Sequence, residues 1–217
     1  MIKYILFDLD GTLTESAPGI INSLKYALEK LGIKDYDESM LGQFIGPPLA
    51  VSFKKFLGFS DEQSLNAIEV YREYFQDRGL FENAVYDGVP DMLAELKAHG
   101  LTLGVATSKP EVYAKKIIEH FNLDGYFTDI CGIPLDDEKM TKSQVIAAAV
   151  KRLGIDDTDT AVMVGDRDYD VKGAAQNGIK CIGVTYGYGS KEELIEAGAI
   201  AIAATPMEAA RTVCSID

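Results

Sequence analysis

Short apolar runs alternate with segments of helical periodicity along most of this chain, and the alternation limits the folds that it can adopt. The runs suited to buried parallel strands are Tyr4–Phe7, Leu101–Thr107, Ala161–Val164, Cys181–Val184 and Ile200–Ala203. Between them, apolar residues recur every three or four positions, as expected for helices that bury one face. The pattern predicts an α/β fold with a doubly wound, Rossmann-like parallel sheet. Ligands of such sheets bind beyond the carboxyl ends of the strands.

One segment, residues 15–83, breaks the alternation because it contains helical patterns and no convincing strand. Its first apolar stripe is ended by Gly32, and its second is ended near Gly79. The segment follows directly after the first strand. We therefore predict an all-helical cap at 15–83, inserted into a catalytic core that is made of 1–14 and 84–217.

The strongest chemical signal is the sequence Asp-Leu-Asp-Gly-Thr, which begins at Asp8 where the first strand ends. Strand alternation places the side chains of Asp8 and Asp10 on the same side of the chain, and Gly11 permits an unusual turn. Two neighbouring carboxylates repel each other unless a cation or a proton lies between them. The pair suits Mg²⁺, which prefers oxygen ligands, and covalent phosphoryl transfer. By itself, such a pair could also cap a strand–loop junction.

A second acidic cluster follows the strand at Ala161–Val164 and contains Asp166, Asp168 and Asp170. If this strand lies beside the first, Asp166 faces the same crevice as Asp8. Asp168 fits the role of a helix cap. Two acidic clusters at two strand ends favour a metal site over simple capping.

Two further segments carry groups that could bind phosphate. Thr107 and Ser108 end a strand, where a hydroxyl and free backbone N–H groups can cradle phosphate oxygens. Lys139 and Lys142 lie just before an amphipathic helix, and either lysine could neutralise phosphate and the crowded carboxylates. Each signal alone is weak, since Thr and Ser are common helix caps and most lysines are solvated.

The order of these motifs resembles the haloacid dehalogenase (HAD) superfamily of phosphatases. The motifs are DLDGT, a Thr/Ser strand end, a lysine before a helix, and GDxxxD. The chain is most similar to the phosphoglycolate phosphatase-like branch, which has a helical cap after the first strand. The resemblance implies a magnesium-dependent hydrolase that removes phosphate from a small phosphorylated metabolite through a phosphoaspartate.

The resemblance also implies roles for individual residues. Asp8 would attack phosphorus, and Asp10 would protonate the leaving alkoxide and later deprotonate water. Thr107 and the Ser108 backbone N–H would bind the transferring phosphoryl group. Lys142 would balance charge.

The implied metal site uses Asp8, the carbonyl of Asp10, Asp166 and Asp170, with Mg²⁺ as the ion. Asp170 would bind directly or through water, and Gly11 belongs to the implied phosphate-binding residues. Many relatives carry KPxP around the family lysine, whereas this chain has no proline there, which leaves Lys139 as a rival to Lys142. We expect Lys142 because it directly precedes the helix.

Other functions fit the same scaffold. A β-phosphoglucomutase-like enzyme would return the phosphoryl group to a second hydroxyl, and a non-catalytic regulator would keep the scaffold without turnover. A dehalogenase is disfavoured because carbon–halogen cleavage needs no acid at the position of Asp10. Phosphoglycolate, a nucleoside monophosphate and a sugar phosphate remain open as substrates.

Charge and cysteine content limit the partners and the compartment. The formal net charge is −13, so anionic membranes and nucleic acids are poor partners, and a phosphate site needs a local cation. The three dispersed cysteines fit a reducing compartment. The N-terminal apolar run is too short for a signal peptide, and a cytoplasmic location is the expectation. A cap that closes its own site favours a monomer.

Overall fold

The computed structural model of the chain describes residues 1–135 and 140–216, which divide into two compact units. The larger unit combines Met1–Thr14 with Val85–Asp217, and the smaller unit is Glu15–Ala84. The predicted cap, 15–83, differs from the smaller unit by one residue at its C-terminal end. Short strands β2 (Thr14–Glu15) and β3 (Ala84–Val85) mark the two chain crossings between the units.

The larger unit is built on a six-stranded sheet. In chain order its strands are β1 (Tyr4–Phe7), β4 (Thr102–Pro110), β5 (Asp129–Ile133), β6 (Ala161–Gly165), β7 (Lys180–Val184) and β8 (Ala201–Ala203). Their order across the sheet is β5-β4-β1-β6-β7-β8, and each neighbouring pair is parallel. The predicted doubly wound parallel sheet is confirmed.

Helices follow the strands and cover the sheet. They are α4 (Val89–Ala98), α5 (Glu111–His120), α6 (Lys142–Arg152), α7 (Asp168–Gln176), α8 (Lys191–Ala197) and α9 (Pro206–Ser215). Helix α6 packs on β4 and β5, and α7 packs on β6 and β7. Leu6 of β1 and Met163 of β6 are fully buried in the core beneath these helices. Within the described residues, no helix is both long and apolar enough to cross a membrane.

Two features of the sheet differ from the sequence prediction. Strand β4 continues to Pro110, three residues beyond the predicted end at Thr107. Strand β5 was not predicted, because it is short and contains Asp129 and Gly132. The guanidinium of Arg152 bonds Asp129 at 2.6 Å and thereby compensates this acidic residue at the sheet edge.

The smaller unit is helical. It contains α1 (Ala17–Lys30), a 3₁₀ segment (Glu38–Phe44), α2 (Leu49–Leu57), α3 (Asp61–Tyr74) and a π-helical turn (Phe75–Gly79). Helix α1 packs against α3 and the π-helical turn. The backbones approach so closely that a Cβ on Gly19 would lie 1.9 Å from the carbonyl oxygen of Gly79. Helix α1 and the π-helical turn therefore meet at a close contact between two glycines.

We predict that Gly19→Ala destabilises the smaller unit. Overpacking costs about 1–3 kcal/mol, which exceeds the gain of about 0.5–1 kcal/mol from replacing a helical glycine by alanine. Hydrogen exchange of the α1 and α3 amides should report the loss. Gly42→Ala is the matched control, because nothing lies within 4 Å of a Cβ at that position. Equal protection in the two variants would contradict the close-packing interpretation.

Candidate active site

The two acidic motifs meet at the carboxyl edge of the sheet. Strands β1 and β6 are parallel neighbours with Phe7 opposite Val164, so Asp8 and Asp166 leave the sheet side by side. The Asp8 backbone N–H donates to the Val164 carbonyl at 3.0 Å and extends this register by one residue. One carboxylate oxygen from each of Asp8, Asp166 and Asp170 lies within 4.8 Å of the other two. All three side chains are buried.

Asp170 reaches the cluster from the first turn of α7. The Arg167 backbone N–H donates to Asp170 Oδ2 at 3.0 Å, so this oxygen caps the helix. The other oxygen, Oδ1, lies 2.7 Å from Lys142 Nζ. The same carboxylate therefore caps the N-terminal end of α7 and takes part in the buried charge cluster.

Lys142 reaches the cluster from the start of α6. Thr141 and Gln144 form a reciprocal capping box that fixes this helix end. The buried ammonium of Lys142 lies 2.7 Å from Asp8 Oδ1 and 2.7 Å from Asp170 Oδ1. The rival lysine, Lys139, lies outside the described residues.

Asp166 is enclosed by backbone on several sides. Its Oδ2 accepts a 2.8 Å hydrogen bond from the Tyr188 N–H, and its Oδ1 accepts one of 3.2 Å from the Thr12 hydroxyl. A Cβ on Gly187 would lie 2.5 Å from the Asp166 Cβ, and one on Gly189 would lie 1.9 Å from the Asp166 carbonyl oxygen. The sequence analysis gave this Gly-Tyr-Gly segment no role. Two glycines separated by one residue just after a strand are the signal that could have identified it.

Gly11, in the first acidic motif, lies close against Asp166 of the second motif. It has φ +85°, and a Cβ added there would lie 2.2 Å from Asp166 Oδ2. The unusual turn expected at Gly11 is therefore present, and it brings the first acidic loop onto the second.

Asp10 forms an ion pair that the sequence analysis did not predict. Lys109 Nζ lies 2.9 Å from Asp10 Oδ2, and both side chains are about nine-tenths buried or more. The pair is possible because β4 extends beyond Thr107, its predicted end, and includes Lys109. Asp10 Oδ1 is also buried, and it has no hydrogen-bond partner among the described residues.

Thr107 and Ser108 lie on the strand beside β1. Val105 pairs with Phe7, so Thr107 emerges at the same sheet edge as Asp8. Thr107 is buried, and its hydroxyl accepts a 3.2 Å hydrogen bond from the Lys109 N–H. Ser108 is partly exposed.

The buried cluster carries excess negative charge. Burial, opposed by Lys142 and assisted by Asp170, raises the pKa of Asp8 to about 6. Burial together with the charges of Asp170 and Asp8 raises the pKa of Asp166 well above its usual range. Burial disfavours the charged form of Lys142, but Asp170 and Asp8 outweigh it and raise the Lys142 pKa above the ordinary value.

The composition of the cluster fits a hard divalent cation. Asp8, Asp166 and Asp170 supply three carboxylates, whereas Lys142 supplies one positive charge. The ligand atoms are all oxygen, which suits Mg²⁺ better than a thiolate- or imidazole-seeking metal. A dication would balance the charge that the single lysine leaves over.

The comparisons with known proteins agree with this geometry. The family described as "Haloacid dehalogenase-like hydrolase" matches residues 5–184. The chain belongs to this family. A crystal structure of a predicted phosphatase from Clostridium acetobutylicum superimposes with a TM-score of 0.95 at 49% identity and covers 100% of both chains.

Three relatives span most of the chain. A 5'-nucleotidase of Pseudomonas aeruginosa is 45% identical over 88% of this chain and 86% of its own length. A phosphoglycolate phosphatase of Aquifex aeolicus is 32% identical over 86% of each protein. The tyrosine-protein kinase PtkA of Mycobacterium tuberculosis is 39% identical over 86% of this chain, and the match covers 63% of that longer protein. The predicted superfamily and enzyme class, a phosphatase of the HAD superfamily, are confirmed.

We predict that Gly187→Ala lowers phosphatase activity, because the added methyl group would collide with the Gly11 carbonyl oxygen at 2.2 Å and with Asp166 at 2.5 Å and would shift both. A misplacement of about 1 Å in an active site can cost about 10²-fold in rate, so a fall of about 10- to 100-fold in kcat is expected. Hydrolysis of p-nitrophenyl phosphate measures it. Gly125→Ala is the control, since a Cβ there meets nothing within 4 Å. Wild-type activity in Gly187→Ala would show that the Asp166 position is not critical.

Proposed function

We propose that this protein is a magnesium-dependent phosphomonoester hydrolase that acts on a small phosphorylated metabolite through a phosphoaspartate on Asp8. The observation that carries the proposal is the buried cluster of Asp8, Asp166 and Asp170, whose oxygens lie within 4.8 Å of one another beside Lys142. Such a cluster is costly to bury unless a cation is bound, and it lies at the sheet edge where ligands bind.

Asp8 is the proposed nucleophile. The hydrogen bond from its backbone N–H to the Val164 carbonyl fixes the Asp8 backbone at the end of β1. The ammonium of Lys142, 2.7 Å from Oδ1, favours the ionised carboxylate that the attack requires. A carboxylate oxygen that attacks phosphorus in line displaces the alkoxide and becomes the phosphoaspartate.

Asp10 is the proposed proton carrier. In the first half-reaction it protonates the leaving alkoxide, and in the second it takes a proton from the water that hydrolyses the phosphoaspartate. It lies in the tight loop 9–14, where the Gly11 N–H donates to the Thr14 carbonyl at 2.8 Å. This turn holds the side chain close to the strand end that carries Asp8.

Phosphate binding is assigned to Thr107, Ser108, Lys142 and the loop at Gly11. The Thr107 hydroxyl, which accepts a bond from the Lys109 N–H, has its own proton to donate to a phosphoryl oxygen. The partly exposed Ser108 would add its backbone N–H. Lys142 would then face both carboxylates and the equatorial oxygens of the transferring group.

Mg²⁺ would be held by Asp8, the Asp10 carbonyl, Asp166 and Asp170, with Asp170 direct or through water. When bound, it would supply positive charge to the phosphoryl group and to the crowded carboxylates. The Tyr188 N–H and the Thr12 hydroxyl keep the Asp166 oxygens oriented for this role.

The proposed substrate is phosphoglycolate-like, a nucleoside monophosphate or a sugar phosphate. The relatives named 5'-nucleotidase and phosphoglycolate phosphatase support the first two classes. A phosphate-release screen across these metabolites, with Mg²⁺ and with a chelator, tests the proposal. Turnover should require the metal. Turnover that depends on a sugar bisphosphate would instead favour a mutase, and no turnover on any ester would favour a regulator.

We predict that Asp8→Asn abolishes turnover and leaves the fold intact. The amide occupies the same volume but cannot attack phosphorus, so kcat should fall to the level of the uncatalysed background. Phosphate release measures the activity, and circular dichroism checks the fold. A fully active Asp8→Asn protein would refute the nucleophile assignment.

The two candidate lysines are separated by a matched pair of variants. Lys142→Met removes the cation that faces Asp8 and Asp170, and the loss of such a charge-stabilising group costs about 10²–10³-fold in kcat. Lys139→Met should keep kcat near that of the wild type. The reverse pattern would transfer the role to Lys139.

A further inference from the structure

The ion pair between Lys109 and Asp10 places a second buried ammonium beside the proposed active site. Lys109 Nζ lies 2.9 Å from Asp10 Oδ2, and the exposed fractions of the two side chains are 5% and 11%. This lysine is separate from Lys142, which faces Asp8 and Asp170. Asp10, the proposed proton carrier, therefore has a cationic neighbour of its own.

The backbone of Lys109 is fixed on two sides. Its N–H donates to the Thr107 hydroxyl at 3.2 Å. Its carbonyl oxygen lies so close to β5 that a Cβ on Gly132 would approach it to 2.5 Å. A side chain that starts from a fixed backbone and ends in a buried ion pair has little freedom to turn away.

The two oxygens of Asp10 have different surroundings. An ammonium group has only donors, so Oδ2 must act as an acceptor towards Lys109, and a proton on Oδ2 would point at the lysine protons. Oδ1 is buried and has no hydrogen-bond partner within residues 1–135 and 140–216. Lys109 therefore occupies Oδ2 and leaves Oδ1 as the Asp10 oxygen that is available for proton exchange.

We propose that Lys109 is a positioning residue that selects Oδ1 of Asp10 as the oxygen that exchanges protons during turnover. The inference rests on the proposed function and assigns a role to a residue outside its catalytic set. In the first half-reaction, an Asp8 oxygen bonds to phosphorus as the bond from phosphorus to the leaving oxygen breaks. The proton on Asp10 Oδ1 passes to that leaving oxygen, and Asp10 becomes a carboxylate held by Lys109.

A leaving-group series separates positioning from phosphate binding. The kcat/KM value reports phosphoryl transfer to Asp8, and acid assistance matters for an alkyl phosphate but little for 2,4-dinitrophenyl phosphate, whose phenolate leaves unaided. With Lys109→Met, we expect kcat/KM to fall about 10- to 100-fold for the alkyl ester and to stay within about twofold for the dinitrophenyl ester. Lys116→Met removes an exposed lysine and is the control.

A double variant tests whether Lys109 acts through Asp10. Asp10→Asn alone should show the same selective loss on alkyl esters, and Lys109→Met should add nothing in that background. Lys109→Arg keeps the charge and the donors, and it should recover part of the alkyl-ester activity. If Lys109→Met does not fold, Lys109→Gln is measured in its place against the same esters.

Each outcome decides one question. An equal loss on both esters, additive with Asp10→Asn, would mean that Lys109 binds phosphate and would overturn the inference. A Lys109→Met protein with wild-type rates on both esters would overturn it as well. A wild-type protein that hydrolyses neither ester would instead reject the proposed function, and the inference with it.

Discussion

The buried contact of Lys142 with Asp8 and Asp170 is the interaction on which the site depends. Three carboxylates lie together where solvent is excluded, and burial raises the pKa values of Asp8 and Asp166. One ammonium 2.7 Å from two of them offsets part of this cost. The remaining negative charge is what the proposed Mg²⁺ would balance.

The parallel sheet makes this contact possible. Asp8 and Asp166 are far apart in sequence, yet β1 and β6 are neighbours and end at the same edge. Lys142 and Asp170 come from the first turns of α6 and α7, the helices that pack together over this part of the sheet. Asn177 strengthens the arrangement, because its amide donates to Ser143 at the start of α6 and to Gly173 in α7. The geometry of the candidate site thus follows from strand order and helix ends.

Much of the fold and the acidic cluster could be predicted from the sequence because those signals are local. An apolar run followed by an aspartate identifies a strand end, and the order of the motifs identifies the family. Strand β5 was missed because Asp129 and Gly132 interrupt its apolar character, and its acidic residue is compensated by Arg152 from α6. Lys109 and the Gly187–Gly189 segment were missed for a different reason. The closely spaced glycines indicate a tight approach, but the contact partners, Asp10 and Asp166, are set by the fold and cannot be read from the sequence.

The most direct test of the account is to locate the phosphoryl group after the first half-reaction. The Asp10→Asn protein keeps Asp8 but lacks the group proposed to activate water, so it should accumulate the covalent intermediate from an activated phosphate ester. Acid quenching, proteolysis and mass spectrometry would then find one added phosphoryl group on the peptide that contains Asp8. A phosphoryl group on another residue, or phosphate release at the wild-type rate without any adduct, would contradict the account.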